Sequence, residues 1–174
     1  QRPIFDSIPG KIGSHASTIT AFGDGELLAA WYSYEGPHEL QGSAIYMARM
    51  LSGQDAWSQP WLVIDRPEGD GNPVLYSEQD RVWLFHAVVP FGWSTSRIFV
   101  QQSTDRGHTW SEPKLLPGML GANVRYPPVR TPEGTLLLPA YDEIFSRSVF
   151  FLSSDGSGWN PLGTIETVPE NIQP

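Results

Sequence analysis

The stretch that most narrows the folds open to this chain is Ser103-Thr-Asp-Arg-Gly-His-Thr-Trp110, which continues the alternating run Ile98 to Ser103. Asp105 and Thr109 are short polar residues of the kind that hydrogen-bond nearby backbone amides in turns. Gly107 permits a backbone conformation that a side chain resists, and Trp110 lays a large apolar face over the turn. The octad therefore reads as a tight link between two strands. Two worn copies flank it. Ser153-Ser-Asp-Gly-Ser-Gly-Trp159 is one residue short, and Ser52-Gly-Gln-Asp-Ala-Trp57 keeps little beyond its serine and tryptophan.

Those copies sit in register with a longer repeat. Turn-then-strand units at Gly23 to Trp31, Glu78 to His86 and Pro132 to Ala140 recur at about 54 residues, within reach of a β-propeller blade with extended loops. Each is followed by a strand (Ala44 to Met50, Arg97 to Ser103, Ser148 to Ser153), then the tryptophan turn. An outer strand comes next, at Trp61 to Ile64, Lys114 to Leu116 and Gly163 to Thr167. Inner strands precede the units at Ser17 to Ala21, Pro73 to Tyr76 and Pro128 to Arg130. The expectation is an all-β chain, one domain over 1–174, with three four-stranded antiparallel blades at 14–66, 70–118 and 123–168. Segment 1–13 is left with an extra N-terminal strand, Ile4 to Ile8. Residues 169–174 read as the start of a further inner strand, because Glu170-Asn-Ile-Gln-Pro174 resembles the entry Gly71-Asn-Pro73. Propellers close with about four to eight blades, so three make an open fan whose end faces call for a partner. The reading is half of a six-bladed propeller. It is either part of a longer chain or closes as a homodimer about a two-fold axis.

Composition bounds the partners. With 7 Trp, 17 Gly and 16 Pro, the chain suits short strands and many turns. No segment keeps the apolar period of a helix. A formal net charge of −8 argues against nucleic acid and anionic membrane as partners. No apolar run reaches the length of a membrane span or signal core, and Gln1-Arg-Pro3 reads as a cut or processed start. The absence of cysteine removes disulfides and thiolate sites and leaves the compartment open. His15, His38, His86 and His108 lack ligand spacing, so no metal is expected. No phosphate cradle or nucleophile elbow points to a cofactor.

Over essentially its whole length the chain resembles the sialidase-like propellers with BNR, or Asp-box, repeats. The residues that carry this are Ser14-His-Ala-Ser-Thr18, Asp24 to Trp31, Gly71 to Leu75, the octad with Ser103, Asp105, Gly107, Thr109 and Trp110, and Thr135 to Glu143. The resemblance implies that the octad is a structural Asp-box turn at the outer rim of a blade. It implies an N-terminal half of a six-bladed ring and a carbohydrate ligand. Such propellers include hydrolases, lyases and non-catalytic binders, so glycoside cleavage, lyase cleavage and glycan binding all stay open, beside a purely structural self-associating half. Sialidases of this kind hold a substrate carboxylate with three arginines, the first in an Arg-Ile-Pro motif. The matching place here is His15-Ala-Ser17, without arginine. Their other site residues would lie mostly in blades this chain lacks, so a single copy is expected to be incomplete. Related lyases use histidine and tyrosine, which fits His15.

Ligands of propellers sit where inner strands begin and second strands end. The inner-strand starts offer His15, Asn72, Arg125 with Tyr126, and Asn171 with Gln173. The second-strand ends offer Tyr32, Tyr34, His86 and Tyr141-Asp142-Glu143. The candidate catalytic residues are His15, Arg125, Asp142 and Glu143. The candidate substrate-binding residues are Asn72, Trp93, Tyr126, Tyr141 and Gln173. Arg125 can hold a carboxylate bidentately. Asp142 and Glu143 suit acid/base work, although neighbours on a strand point to opposite faces. Asn72 before Pro73 is as well suited to an Asx turn. The loops Tyr34 to Glu39 and Pro90 to Trp93 offer aromatic surface for a sugar ring. His86 reads as a hydrogen-bonded core histidine and His108 as part of the turn.

Overall fold

The computed structural model describes residues 3–165 and 167–168. Three antiparallel sheets follow one another along the chain, and the only helical element among the described residues is a 3₁₀ turn, Trp93–Thr95. Sheet 1 runs β1 (Gly13–Ala21), β2 (Leu27–Tyr34), β3 (Ala44–Met50), β4 (Trp61–Ile64). Sheet 2 runs β5 (Asp70–Glu78), β6 (Arg81–Val88), β7 (Arg97–Ser103), β8 (Lys114–Leu115). In sheet 3 the order is β10 (Val129–Arg130), β11 (Leu136–Asp142), β12 (Arg147–Ser153), β13 (Asn160–Ile165), with β9 (Ala122–Val124) also paired to β11.

The inner strands begin earlier than expected, because each is interrupted and then resumes. Pairing slips between His15 and Thr18 in β1 and between Gly71 and Val74 in β5. Ala16 (φ 50°) and Asn72 (φ 47°) take up the slack. In sheet 3 residues 125–128 fill the same place, between the pairs Val124–Ala140 and Val129–Leu137. Such irregularities kink a strand and re-aim its side chains.

Ile4 to Ile8 is not a strand, which corrects the sequence expectation. Ile8, with Ile4 and Phe5 against it, covers Ala29, Trp31 and Ala48 on sheet 1, and the Phe5 ring stacks on Trp31 at 4.6 Å. Covering a face needs apolar atoms and no ladder bonds. A turn at Pro9-Gly10, closed by Lys11 N–H donating to Ile8 O (3.0 Å), ends the segment. The expected strand start at 169–174 lies outside the described residues.

Apolar alternation decides how the sheets stack. Leu28, Ala30 and Tyr32 pack against Leu75, Val82 and Leu84 of sheet 2. Trp83 and Phe85, on the opposite side of β6, pack against Leu136, Leu138 and Ala140 of sheet 3. β6 is therefore buried on both faces, whereas in β11 the alternate residues Leu137 and Pro139 remain half-exposed. Among the described residues no further sheet covers the far face of sheet 3.

The turn from Ser103 to Trp110 locks its own sheet to the one before. Ser103 Oγ accepts from the N–H groups of Asp105 (3.2 Å) and Gly107 (2.7 Å). The Asp105 carboxylate accepts from His108 N–H (3.1 Å), Thr109 N–H (2.8 Å) and the Thr109 hydroxyl (2.6 Å). Gly107, at φ 83°, then lies over Leu28 of sheet 1, and Arg49 donates to Arg106 O at 2.7 Å. The shorter copy repeats the device one sheet on. Ser153 Oγ accepts from Gly156 N–H (2.8 Å), Gly156 lies over Trp83, and Gly156 O accepts from Trp83 Nε1 (2.8 Å) and Gln102 Nε2 (2.6 Å).

Hydrogen bonds to its ionised form, those from Thr109 first, hold the Asp105 carboxyl well below the usual carboxylate range. A depressed folded-state pKa contributes stability above the unfolded value of about 4, lost as pH falls towards the folded value. Asp105→Asn is therefore expected to melt at a lower temperature than the parent at pH 7. Melting curves at pH 7, 4 and 3 test this, and the gap should shrink with each step down.

Candidate functional site

All three sheets bring polar and aromatic residues to one end. The turns at Asp24 and Asp80 lie with Arg106 at the other end, where its guanidinium pairs with both at 2.6 Å. A strand of eight residues separates the two ends by about 25 Å. The starts of β1, β5 and β9, the ends of β2, β6 and β11, and the loops after them therefore share one mouth.

On its first side, Tyr32 Oη donates to Glu39 Oε2 at 2.8 Å, and Trp93 Nε1 donates to Glu39 Oε1 at 3.0 Å. His15 Nδ1 stands 3.3 Å from Tyr32 Oη and 3.8 Å from Glu39. The loop after β2 folds back through Glu35 N–H donating to Gln41 O (2.8 Å), which turns Glu39 towards the tyrosine. Gly71 admits the indole of Trp93, since a Cβ there would stand 2.7 Å from the ring. Burial, then the bond to Glu39, pushes the Tyr32 phenol far above its ordinary range, so it stays protonated and acts as a donor.

On the second side, Asn72 is 1% exposed, and its Nδ2 donates to Tyr141 Oη (3.3 Å) and, at long range, to Asn123 Oδ1 (3.5 Å). Asn123 Nδ2 donates in turn to Ser96 Oγ at 2.7 Å. Asn72 Oδ1 and Arg125 Nε are buried without a hydrogen-bond partner. The Arg125 guanidinium lies close enough to Tyr32, Tyr141 and Glu143 to oppose the rise in each one's pKa. Burial is the first cause of that rise at Tyr141 and at Glu143, where the neighbouring Asp142 charge adds to it.

Six of the nine candidates thus come together: His15, Asn72, Trp93, Arg125, Tyr141 and Glu143. Asp142 is fully buried and occupied in the next turn. Its carboxylate accepts from the N–H groups of Ile144 (2.9 Å) and Phe145 (3.2 Å) and from Arg147 Nε (3.2 Å). Tyr126 is more than half exposed beside Pro127 and Pro128. Gln173 and Asn171 lie outside the described residues. The sequence reading missed the Tyr32–Glu39 pair and Asn123. Tyr32 is named there at a strand end, two repeats before Tyr141, whereas Glu39 sits in an aperiodic loop. His86 is wholly buried, stacked on Phe99 and 3.5 Å from Asp70, and burial lowers its pKa so that it stays neutral. Among the described residues no three His, Cys, Asp or Glu side chains converge as a metal site.

Stacked sheets of four or five strands, repeated turns and a shared mouth define a repeat-built, propeller-like β protein. The chain belongs to the BNR repeat-like domain family, whose model matches residues 25–174. Among solved structures it is similar to the leech intramolecular trans-sialidase complexed with 2,7-anhydro-Neu5Ac (TM-score 0.78, 13% identity, 92% of this chain and 45% of that one). It is also similar to a protein of unknown function from Dyadobacter fermentans DSM 18053 (TM-score 0.73, 17% identity, 92% and 60%). A third is the Penicillium chrysogenum α-L-arabinanase complexed with arabinobiose (TM-score 0.63, 20% identity, 95% and 52%). At these identities the likeness is one of fold. The chain spans 39–60% of the length of the first structures it matches. No curated protein matches it in sequence at a significant level.

Proposed function

We propose that the three sheets are blades of a sialidase-like six-bladed propeller, with the Ser103–Trp110 turn as its Asp-box. In this reading the closed ring cleaves a glycosidic bond, with Glu143 as proton donor. The observation that carries it is the convergence of side chains from three sheets on one mouth, where Glu143 is half-buried. Its raised pKa and the absence of a hydrogen bond to its carboxyl among the described residues suit a group that must hold and release a proton. Arg125 lies beside it, and Asp142 positions it by anchoring the turn that follows. The opposite half of the ring, from a second copy or from more chain, completes the site. The far face of sheet 3, which no further sheet covers among the described residues, supports such a closure.

Glu143→Gln is expected to lower kcat on aryl glycosides by about 10²- to 10⁴-fold, with sugar affinity retained. Asp142→Asn should instead lower the melting temperature. A general acid works protonated, so kcat should fall as pH rises through the elevated Glu143 pKa, and the Gln variant should lack that limb. The aromatic wall of Tyr32 and Trp93 favours a second reading, a glycan-binding module without catalysis. Sugar binding by an assembly that turns over no glycoside would select it. Light scattering should show a two-copy particle, and a stable monomer at micromolar concentration would overturn closure by self-association.

A further inference from the structure

We infer that the mouth selects a neutral sugar ring over an acidic one, an inference that rests on the carbohydrate reading above. The charges there do not suit an anion. Among the described residues, Arg125 is the guanidinium that acts on both Tyr32 and Tyr141, and it already faces the Glu143 carboxyl. Of the nearby cations, Lys11 is held by Glu35 at 2.8 Å and Arg147 by Asp142 at 3.2 Å. Glu39 adds a carboxylate 2.8 Å from Tyr32 Oη. A substrate carboxylate entering beside Glu39 would meet a like charge, with an arginine already shared with Glu143 to offset it. The net charge of −8 adds no long-range attraction for an anion.

One of two unpartnered atoms, Asn72 Oδ1, points the same way. Asn72 Oδ1 is a buried acceptor that lacks a donor, and Arg125 Nε is a buried donor that lacks an acceptor. Both residues flank Tyr141. A sugar hydroxyl both donates and accepts, so it satisfies either atom. A carboxylate only accepts, and would leave Asn72 Oδ1 facing another acceptor. A polar site built for a hydroxyl discriminates well, because the wrong ligand leaves buried groups unpaired.

The test is calorimetry on the full chain with matched ligands: the methyl glycosides of glucose, galactose and mannose against their C6 uronates. Each pair differs only in a hydroxymethyl or a carboxylate. The expected result is binding of at least one neutral glycoside, with its uronate about tenfold weaker or worse. Asn72→Gly keeps the positive φ of residue 72 while removing the acceptor. It should weaken the neutral glycoside about tenfold without moving the melting temperature by more than a few degrees. Uronates bound as tightly as their neutral partners would overturn the inference and leave the carbohydrate reading standing. Binding of neither series would overturn both. Unchanged neutral affinity in Asn72→Gly would remove the hydroxyl assignment.

Discussion

Replacing Arg49 by methionine is expected to lower the free energy of unfolding by about 3 kcal/mol, towards the low end of what breaking a buried ion pair costs. Arg49 on β3 is 7% exposed and pairs with Glu26, itself 8% exposed. Its second nitrogen donates to Arg106 O across the junction of sheets 1 and 2. Methionine fills much of the same volume, so packing is conserved and the loss is electrostatic. It leaves the Glu26 carboxylate buried and one carbonyl without its donor. Arg106 remains 3.4 Å from Glu26, which keeps the cost from reaching its upper range. The double variant Glu26→Gln/Arg49→Met should recover most of the loss, because a pair removed together leaves no uncompensated charge. Denaturant titration decides it: the midpoint should fall with an unchanged slope. A midpoint that does not move would mean that the junction is held by its apolar core alone.

What was legible in the sequence was what local chemistry writes there. The octad names its own hydrogen bonds, since Ser103, Asp105, Gly107 and Thr109 all act within it. Spacing the strands from the tryptophan turns places β2, β3, β6 and β7 close to their true bounds. The inner-strand breaks were less visible. Asn72 is a residue type that tolerates positive φ, but Ala16 is not, and nothing in its neighbours announces φ 50°. The segment Ile4 to Ile8 misleads for a different reason, because apolar residues that cover a face look like those that pair in one. At the site, repeat position alone selects His15, Asn72, Arg125 and Tyr141. It cannot select Glu39, whose place depends on how the loop 35–43 closes. Nor can it assign separate roles to Asp142 and Glu143, which only the path of the following turn sets apart.

Gly156→Val should be the most damaging single change at the junctions, at about 4 kcal/mol from strain, overpacking and lost hydrogen bonds. The residue sits at φ 79°, and a Cβ there would stand 2.5 Å from the Trp83 ring. That ring is fully buried and its own Nε1 is bound to Gly156 O, so it has nowhere to move. The matching Gly107→Val is expected to cost less, about 2 kcal/mol. Its φ of 83° carries similar strain, but the nearest atom is Leu28 Cδ2, the far end of a side chain with other rotamers. Function should follow the same inequality. Asn72 of sheet 2 reaches Tyr141 of sheet 3 at 3.3 Å, so the mouth depends on the junction that Gly156 closes. His15, Tyr32 and Glu39 all lie in sheet 1 and its loop, with Trp93 reaching them from sheet 2. Hydrogen exchange on Gly156→Val should therefore show sheet 3 opening before sheets 1 and 2, together with loss of the proposed sugar binding. Gly107→Val should be less stable than the parent yet keep its affinity. Equal losses in the two variants would show that the sheets unfold as one unit and that the turns do not act junction by junction.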